Sequence, residues 1–316
     1  MDAAEADDVA ATFALGSVVE PPTLVARGAT GFIWKVTTDR GSFAVKRLQS
    51  WVTPDPMPFD VHVQHAAEGV GIPLPRPVLT PGGEAMVEHT RVYEWVDLLP
   101  AHPTPAAPAV ATEVGDLLGR LHRLALPPAD PGVDRWYLDP PTVDDWRDVL
   151  RRGTDGGMPW TSWLADEIDF LDDVGRRVGT PYDGPEITCH RDFAPGNLLP
   201  SAADGSLVVL DWENAGALPA VVELAWTVVF WCASRDRVDE DAALALVEAY
   251  GESEPLVPSA FHGAVVTHLN FLKVNLDASL DDPSDFADRW IDDLQPANLR
   301  QRLIGIDRLA ALFGPR

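Results

Sequence analysis

The chain has 316 residues, 46% hydrophobic and 23% charged, with 49 Asp and Glu against 24 Lys and Arg for a formal charge of −25. That length suits one large domain or two lobes with a sizeable core. The acid excess argues against nucleic-acid and anionic-membrane partners, which are gripped by Lys/Arg patches; it serves solubility and is compatible with a cationic ligand.

Two cysteines, Cys189 and Cys232, form neither a metal-ligand spacing nor a disulfide framework, and Cys189 reads as a small buried residue. The opening "MDAAEADDVA" lacks a basic-then-apolar signal pattern, and "LAWTVVFWCA", the longest apolar run, is too short for a bilayer. The expectation is a soluble, cytoplasmic protein.

Residues 18 to 50 read as strands, because "TLVARGATGFIWKVTTDRGSFAVKRLQ" alternates β-branched or aromatic with polar residues. Breaks at Gly28, Gly31 and "DRG" are hairpin signals. Three prolines between Trp51 and Pro58 make a loop, and "FDVHVQHAAEG" is a short helix ending at Gly69. "GIPLPRPVLT" must be largely extended, since residues before Pro avoid the α region. "EAMVEHTRVYEWVD" predicts two further strands around a weak turn.

Composition then changes. The Pro/Ala-rich "LLPAHPTPAAPA" is a connector, and residues 108 to 126 carry Val114, Leu117, Leu118 and Leu121 at helical spacing. "TVDDWRDVLRRG" and "SWLADEIDFLDDVGRRVG" predict two more helices. Residues 219 to 250 and 259 to 280 look helical, and the last helix ends near Phe313. The organisation is strands first, a hinge near residue 97, then a mostly helical part with one small β-hairpin, giving parts 1–97 and 98–316.

The chemistry concentrates in "ITCHRDFAPGNLLP" and the following "SLVVLDWE". Asp192, Asn197 and Asp211 are the oxygen-bearing side chains expected of a magnesium-dependent phosphoryl-transfer site. Mg²⁺ takes oxygen ligands and keeps waters, so one carboxylate and one amide plus substrate phosphates suffice. A further acid can accept the proton of an attacking hydroxyl. "HRDFAPGN" has the form H-x-D-x-x-x-x-N, followed by an acid after an apolar strand, as in the protein-kinase superfamily.

Over roughly residues 20 to 235 the chain resembles the aminoglycoside phosphotransferase family, the small-molecule branch of the kinase-like fold. "LGRLHRL" resembles the helix before that family's catalytic loop, "HRDFAPGN" the loop itself, and "LDWENAGALPAVVELAW" its metal-binding segment. The resemblance implies an α+β, bilobal protein-kinase-like fold. An antiparallel-sheet lobe with one helix would bind nucleotide, and a larger, mainly helical lobe would carry catalysis and the acceptor. It implies ATP or GTP as co-substrate and Mg²⁺ as cofactor. Asp192 would be the base or orienter of the acceptor hydroxyl, Asn197 and Asp211 the metal ligands, and His190 a brace for the loop.

Other positions follow from the same comparison. Gly28 and Gly31 would let backbone amides approach phosphates. Lys46, in "SFAVKRL", would place an ammonium on the α/β-phosphates, with Arg47 on the opposite face. Its acidic partner is expected early in the next helix. That helix offers Asp60 near its start and Glu68 at its end, and Asp60 is preferred. Backbone groups of Glu94 to Val96, in "VYEWVD", would touch adenine. Glu213 adds a second acid near Asp211 or faces solvent, and Glu223 stands where the family usually has Asp.

Ala194 stands where Ser/Thr kinases generally carry Lys, and about a dozen residues between Asp211 and "ELAW" leave no room for an activation loop, so a small acceptor is favoured. Asp277, Asp281, Asp282 and Asp285 would line a pocket for ammonium groups or form a solvated acidic loop. Trp160 and Trp163 would cover an acceptor or pack in the core. The expected activity is a small-molecule kinase whose acceptor is a hydroxyl compound such as a cationic aminoglycoside antibiotic, with macrolides, peptide antibiotics, choline and sugars open. The alternatives are a catalytically inactive kinase-like nucleotide-binding protein, or a metal-dependent phosphohydrolase using His190, Asp192 and Asp211.

Overall fold

The structure, a computed structural model, describes residues 1–28, 31–48, 58–178, 181–235, 237–281 and 285–314, with only the backbone at 281 and 285–289. Of the prolines expected to form a loop after Trp51, Pro54 and Pro56 fall outside these residues, and Pro58 stands at the start of the helix that follows. The chain groups into two compact units, one of residues 1–102 and 196–215, the other of 103–195 and 216–316.

The first unit opens with α1 (Ala3–Thr12), β1 (Thr23–Arg27), β2 (Gly31–Thr38), β3 (Gly41–Leu48), α2 (Phe59–Gly69), β4 (Pro77–Val78) and β5 (Thr90–Glu94). The second begins with α3 (Pro108–His122), α4 (Val143–Asp155), α5 (Thr161–Arg177) and β6 (Glu186–Cys189). The hairpin β7 (Leu198–Pro200) and β8 (Leu207–Val209) belongs to the first unit. The second unit then continues with β9 (Gly216–Pro219), α6 (Ala220–Cys232), α7 (Glu240–Tyr250), α8 (His262–Asp281), α9 (Asp285–Leu294) and α10 (Pro296–Phe313).

In the first unit the sheet runs β1-β2-β3-β5-β4, all antiparallel. Lys46 lies between Ile33 and Arg91 in the ladder. Val45 is on the other face, because successive side chains alternate. Helix α1 covers that other face, where Ala6, Val9, Ala10 and Phe13 cluster with Val36, Val45 and Val92. The sequence reading placed a single helix in this lobe and none here. Yet Asp2 and Glu5 form a capping box, Glu5 N donating to Asp2 Oδ1 at 2.9 Å and Asp2 N to Glu5 Oε2 at 2.7 Å. Arg47 reaches this helix as well, 2.8 Å from Glu5.

Helix α2 forms where expected. The two strands expected over residues 84–97 are one strand, β5, preceded by a tight turn. Val87 and Thr90 close the turn as a lone bridge around Glu88 at φ 52°. The β7–β8 hairpin turns at Gly205, φ 79°, and is fastened within its unit by Leu99 N donating to Pro200 O and Val209 N to Pro73 O, both at 2.8 Å.

In the second unit, α6 is buried on nearly every side, as its composition requires. The glycines of "VGDLLGRLHRL" explain themselves against α7. A Cβ at Gly115 would lie 2.1 Å from Leu246 O and one at Gly119 2.4 Å from Tyr250 O, so α3 and α7 touch backbone to backbone. The helix expected over 219–250 is two. Ser234 N donates to Arg237 O at 2.8 Å in the break, and Asp239 caps α7 by accepting from Ala242 N at 3.0 Å. Instead of one hairpin there are two two-stranded sheets, β7–β8 and β6–β9. Helix α9 occupies part of the stretch expected as an acidic loop.

Candidate active site

Lys46 is buried and makes two ion pairs, 2.8 Å to Asp211 Oδ1 and 2.8 Å to Glu213 Oε2. Neither acid is on α2. Asp60, the expected partner, is itself buried, but its Oδ1 accepts from Arg91 Nη2 at 2.7 Å and its Oδ2 from Gln64 Nε2 at 3.1 Å. Glu68 pairs with Arg76. The correction has a register cause. Lys46 and Arg91 are cross-strand partners on one face of the sheet, and Arg91 takes the helix carboxylate. Glu213 Oε1 lies 3.1 Å from Arg91 Nη1, so Glu213 bridges the two cations.

Glu213 and Asp211 share a short segment with unusual backbone. Asp211 sits at φ 58°, ψ 60°, the left-handed region, and caps the single 3₁₀ turn Trp212–Asn214. Trp212 anchors that turn by donating from Nε1 to Val209 O at 3.1 Å. A non-glycine residue held this way costs energy and concentrates at functional sites. Burial, then the hydrogen bond and charge of Glu213, push the Asp211 carboxyl up to about 7. Glu213 goes the other way: burial opposes it, but Lys46, Asp211 and Arg91 hold it well below the usual carboxylate range. Burial lowers the Lys46 ammonium, yet Glu213 and Asp211 raise it overall, so it stays charged.

Asn197 and Asp211 flank the β7–β8 hairpin. Leu198 pairs with Val209, and Leu210 N donates to Asn197 O at 2.8 Å, so Asn197 lies opposite Leu210, one residue before Asp211. One carboxamide and one carboxylate are an oxygen donor set that fits Mg²⁺.

Asp192 lies in the second unit, on the loop after β6. That loop is braced from beneath. Glu223, 1% exposed on α6, accepts from His122 Nε2 at 2.8 Å, from His190 N at 3.1 Å and from Arg191 N. Arg191 is left-handed at φ 64° and stacks its guanidinium 4.9 Å from the Tyr137 ring. His190 is fully buried, and its Nδ1 accepts from Asp192 N at 3.3 Å. Cys189 adjoins His122 and Glu223 closely enough for a metal cluster. Burial pushes its thiol up, and it donates to Leu218 O at 3.4 Å, so the trio is a buried brace.

Other expected positions fall as follows. Gly28 N donates to Gly31 O at 2.8 Å, closing the β1–β2 turn, whose residues 29 and 30 are outside the description. Glycine is required at 31, where a Cβ would lie 2.2 Å from Arg47 O. Glu94 N donates to Arg76 O at 2.8 Å and Trp95 N to Ser42 O at 3.2 Å; Val96 is half-buried just beyond. Trp160 is core, donating to Ser279 Oγ at 3.0 Å. Asp277 is spoken for by Arg152 and by Lys273, the latter at 2.8 Å. The side chains of Asp281, Asp282 and Asp285 lie outside the described residues. Among those residues no helix is long and apolar enough to cross a membrane.

The profile of the phosphotransferase enzyme family matches residues 23–259, well over half of the chain. The chain belongs to that family. It is a phosphotransferase acting on hydroxyl acceptors, built on the protein-kinase-like fold of the aminoglycoside phosphotransferases that its motifs resemble. Similar curated proteins include homoserine kinase of Rhodospirillum rubrum, 27% identical over 248 residues, covering 75% of this chain and 73% of that one. Homoserine kinase of Zymomonas mobilis is 23% identical over 237 residues, covering 72% and 71%. Among solved structures, a spectinomycin phosphotransferase bound to ADP and spectinomycin superposes with a TM-score of 0.69 at 14% identity, covering 98% of this chain and 99% of that chain.

Sequence reasoning weighed Glu213 without deciding it and passed over Arg91. Nothing local marks Arg91, since a charged residue in a strand reads as solvent-facing until the register is known.

Proposed function

We propose that this phosphotransferase moves the γ-phosphate of ATP or GTP to a hydroxyl of a small acceptor. The observation that carries the proposal is the buried Lys46 paired at 2.8 Å with Asp211, which follows the hairpin partner of Asn197, in a member of this family. In place of the expected division into 1–97 and 98–316, the unit of residues 1–102 and 196–215 is the nucleotide lobe and that of 103–195 and 216–316 the acceptor lobe. Gly28, Gly31 and Lys46 hold the phosphates, and backbone groups of Glu94 to Val96 hold the base. Asn197 and Asp211 would hold Mg²⁺, which would neutralise charge on the phosphates. Asp192 orients the acceptor hydroxyl and accepts its proton. Positioning and charge neutralisation supply most of the acceleration.

Two acceptor classes have specific support. The net charge of −25 is compatible with a cationic antibiotic of the aminoglycoside kind. The two curated relatives favour homoserine, named in both of their names. The ion pairs already made by Asp277 weaken the case for that residue as an ammonium ligand. A phosphohydrolase is disfavoured, because the His190 ring is buried under its own loop.

The test is incubation with Mg-ATP or Mg-GTP and a panel of aminoglycosides, homoserine, macrolides, choline and sugars, read as mass gain of one phosphate. Transfer to any of them supports the kinase. Nucleotide binding without transfer to any acceptor selects the inactive binder, and phosphate release from a simple ester without nucleotide selects the hydrolase.

A further inference from the structure

We propose that Glu213 is the residue that positions Lys46, in the role usually given to an acid on the following helix, and that Arg91 and Asp60 hold Glu213 in place. The inference rests on the reading that Lys46 binds nucleotide phosphates. The acids of α2 are committed elsewhere, Asp60 to Arg91 and Gln64, Glu68 to Arg76. Two cations, Lys46 and Arg91, stand as cross-strand partners on one sheet face, and like charges so placed repel. Glu213 answers both with one oxygen each, 2.8 Å to Lys46 and 3.1 Å to Arg91, and Asp60 closes the row at 2.7 Å on the far side of Arg91. Side-chain exposures of 10% for Lys46, 20% for Glu213, 3% for Arg91 and 7% for Asp60 keep water from screening the row.

The arrangement divides labour between two acids that are two residues apart. Lys46 also touches Asp211, but Asp211 is the group a metal ion would claim. Glu213 is fixed by Arg91 and would keep its hold on the ammonium with Asp211 given over to a metal. Among the described residues no acid of α2 pairs with Lys46, and Asp60 is linked to it through Arg91 and Glu213. A kinase whose helix acid contacts the lysine directly must move that helix to set it. Here the segment after Asp211 sets it.

The experiment measures nucleotide affinity of the full chain by calorimetry, once with Mg²⁺ and once in EDTA, for Lys46→Met, Glu213→Gln, Arg91→Met and the double Lys46→Met/Glu213→Gln. The EDTA series reads the lysine contact without metal. Expected are losses of about tenfold for each single variant, the size of a charge-assisted contact, in both series. The double variant should bind no more weakly than Lys46→Met, because the two act as one unit. Glu213→Asp, too short to span both cations, should show a smaller loss in the same direction, and covers the case in which Glu213→Gln fails to fold.

Unchanged EDTA affinity in Glu213→Gln, with a loss only when Mg²⁺ is present, would make Glu213 a metal ligand and overturn the inference. Additive losses in the double variant would do the same. Absence of nucleotide binding by the unaltered chain, or no effect of Lys46→Met, takes down the nucleotide reading and the inference with it. Binding that depends on Lys46 but not on Glu213 removes the inference alone.

Discussion

Replacing Glu223 with Gln removes the charge beneath the loop that carries Asp192 while keeping its volume. The carboxylate takes three donors, His122 Nε2 at 2.8 Å, His190 N at 3.1 Å and Arg191 N, at a site 1% exposed. A carboxamide offers one accepting oxygen and turns an NH₂ toward groups that also donate. With at least one buried donor unpaired and the charge assistance gone from the others, Glu223→Gln should cost about 2–5 kcal/mol. For a chain of this size that lowers the melting temperature by roughly 3–8 °C. Arg191, held at φ 64°, should relax once Glu223 lets go, shifting Asp192. A displacement of about 1 Å there would cut turnover on the order of 100-fold.

Thermal melts followed by circular dichroism read the stability, and steady-state kinetics the turnover. An acid series adds an independent check. Burial pushes the Glu223 carboxyl up, but His122 and the loop N–H groups outweigh it and hold it below its ordinary 4.5. The folded state therefore binds fewer protons than the unfolded one, so this contribution is complete above that value and fades as pH falls through the folded pKa. The gap in melting temperature between the original chain and Glu223→Gln should narrow on acidification below the ordinary 4.5. A variant that melts with the original chain, or a gap constant down to the acid limit, would refute the reasoning.

Three further substitutions test separate links. Asp192→Ala should abolish turnover while Mg-nucleotide affinity in calorimetry stays as it was; equal loss of both would make Asp192 structural. Asp211→Ala should weaken Mg-nucleotide binding about tenfold or more, and unchanged affinity would remove it from the metal site. Gly115→Ala forces a methyl to within 2.1 Å of Leu246 O, parts α3 from α7 and should cost at least about 1–3 kcal/mol in a denaturant melt; an unshifted midpoint would mean the helices have room to spare.

Much of this was legible in the sequence because it is local. Alternation gave β2 and β3, apolar spacing gave α3, and the run from His190 to Glu213 carries its residues close enough along the chain to name a phosphoryl-transfer site. Helix α1 was hidden by its short, acidic, Ala-rich stretch, although its capping box is visible in hindsight. The split of α6 from α7 depended on a cap at Asp239 that a continuous apolar pattern masks.

What the amino-acid order determined by itself was the inventory of chemistry: a lysine in a strand, a carboxylate and carboxamide flanking a hairpin, an acid in a loop. Which charges pair was settled only by folding. Strand register set Arg91 beside Lys46, and Arg91 then took Asp60 from the helix. The left-handed turn at Asp211 brought Glu213 to the lysine, and burial of α6 set Glu223 beneath the loop that carries Asp192. Pairings of this kind join residues tens to more than a hundred positions apart. Their strength comes from exclusion of water, which no spacing in a sequence records.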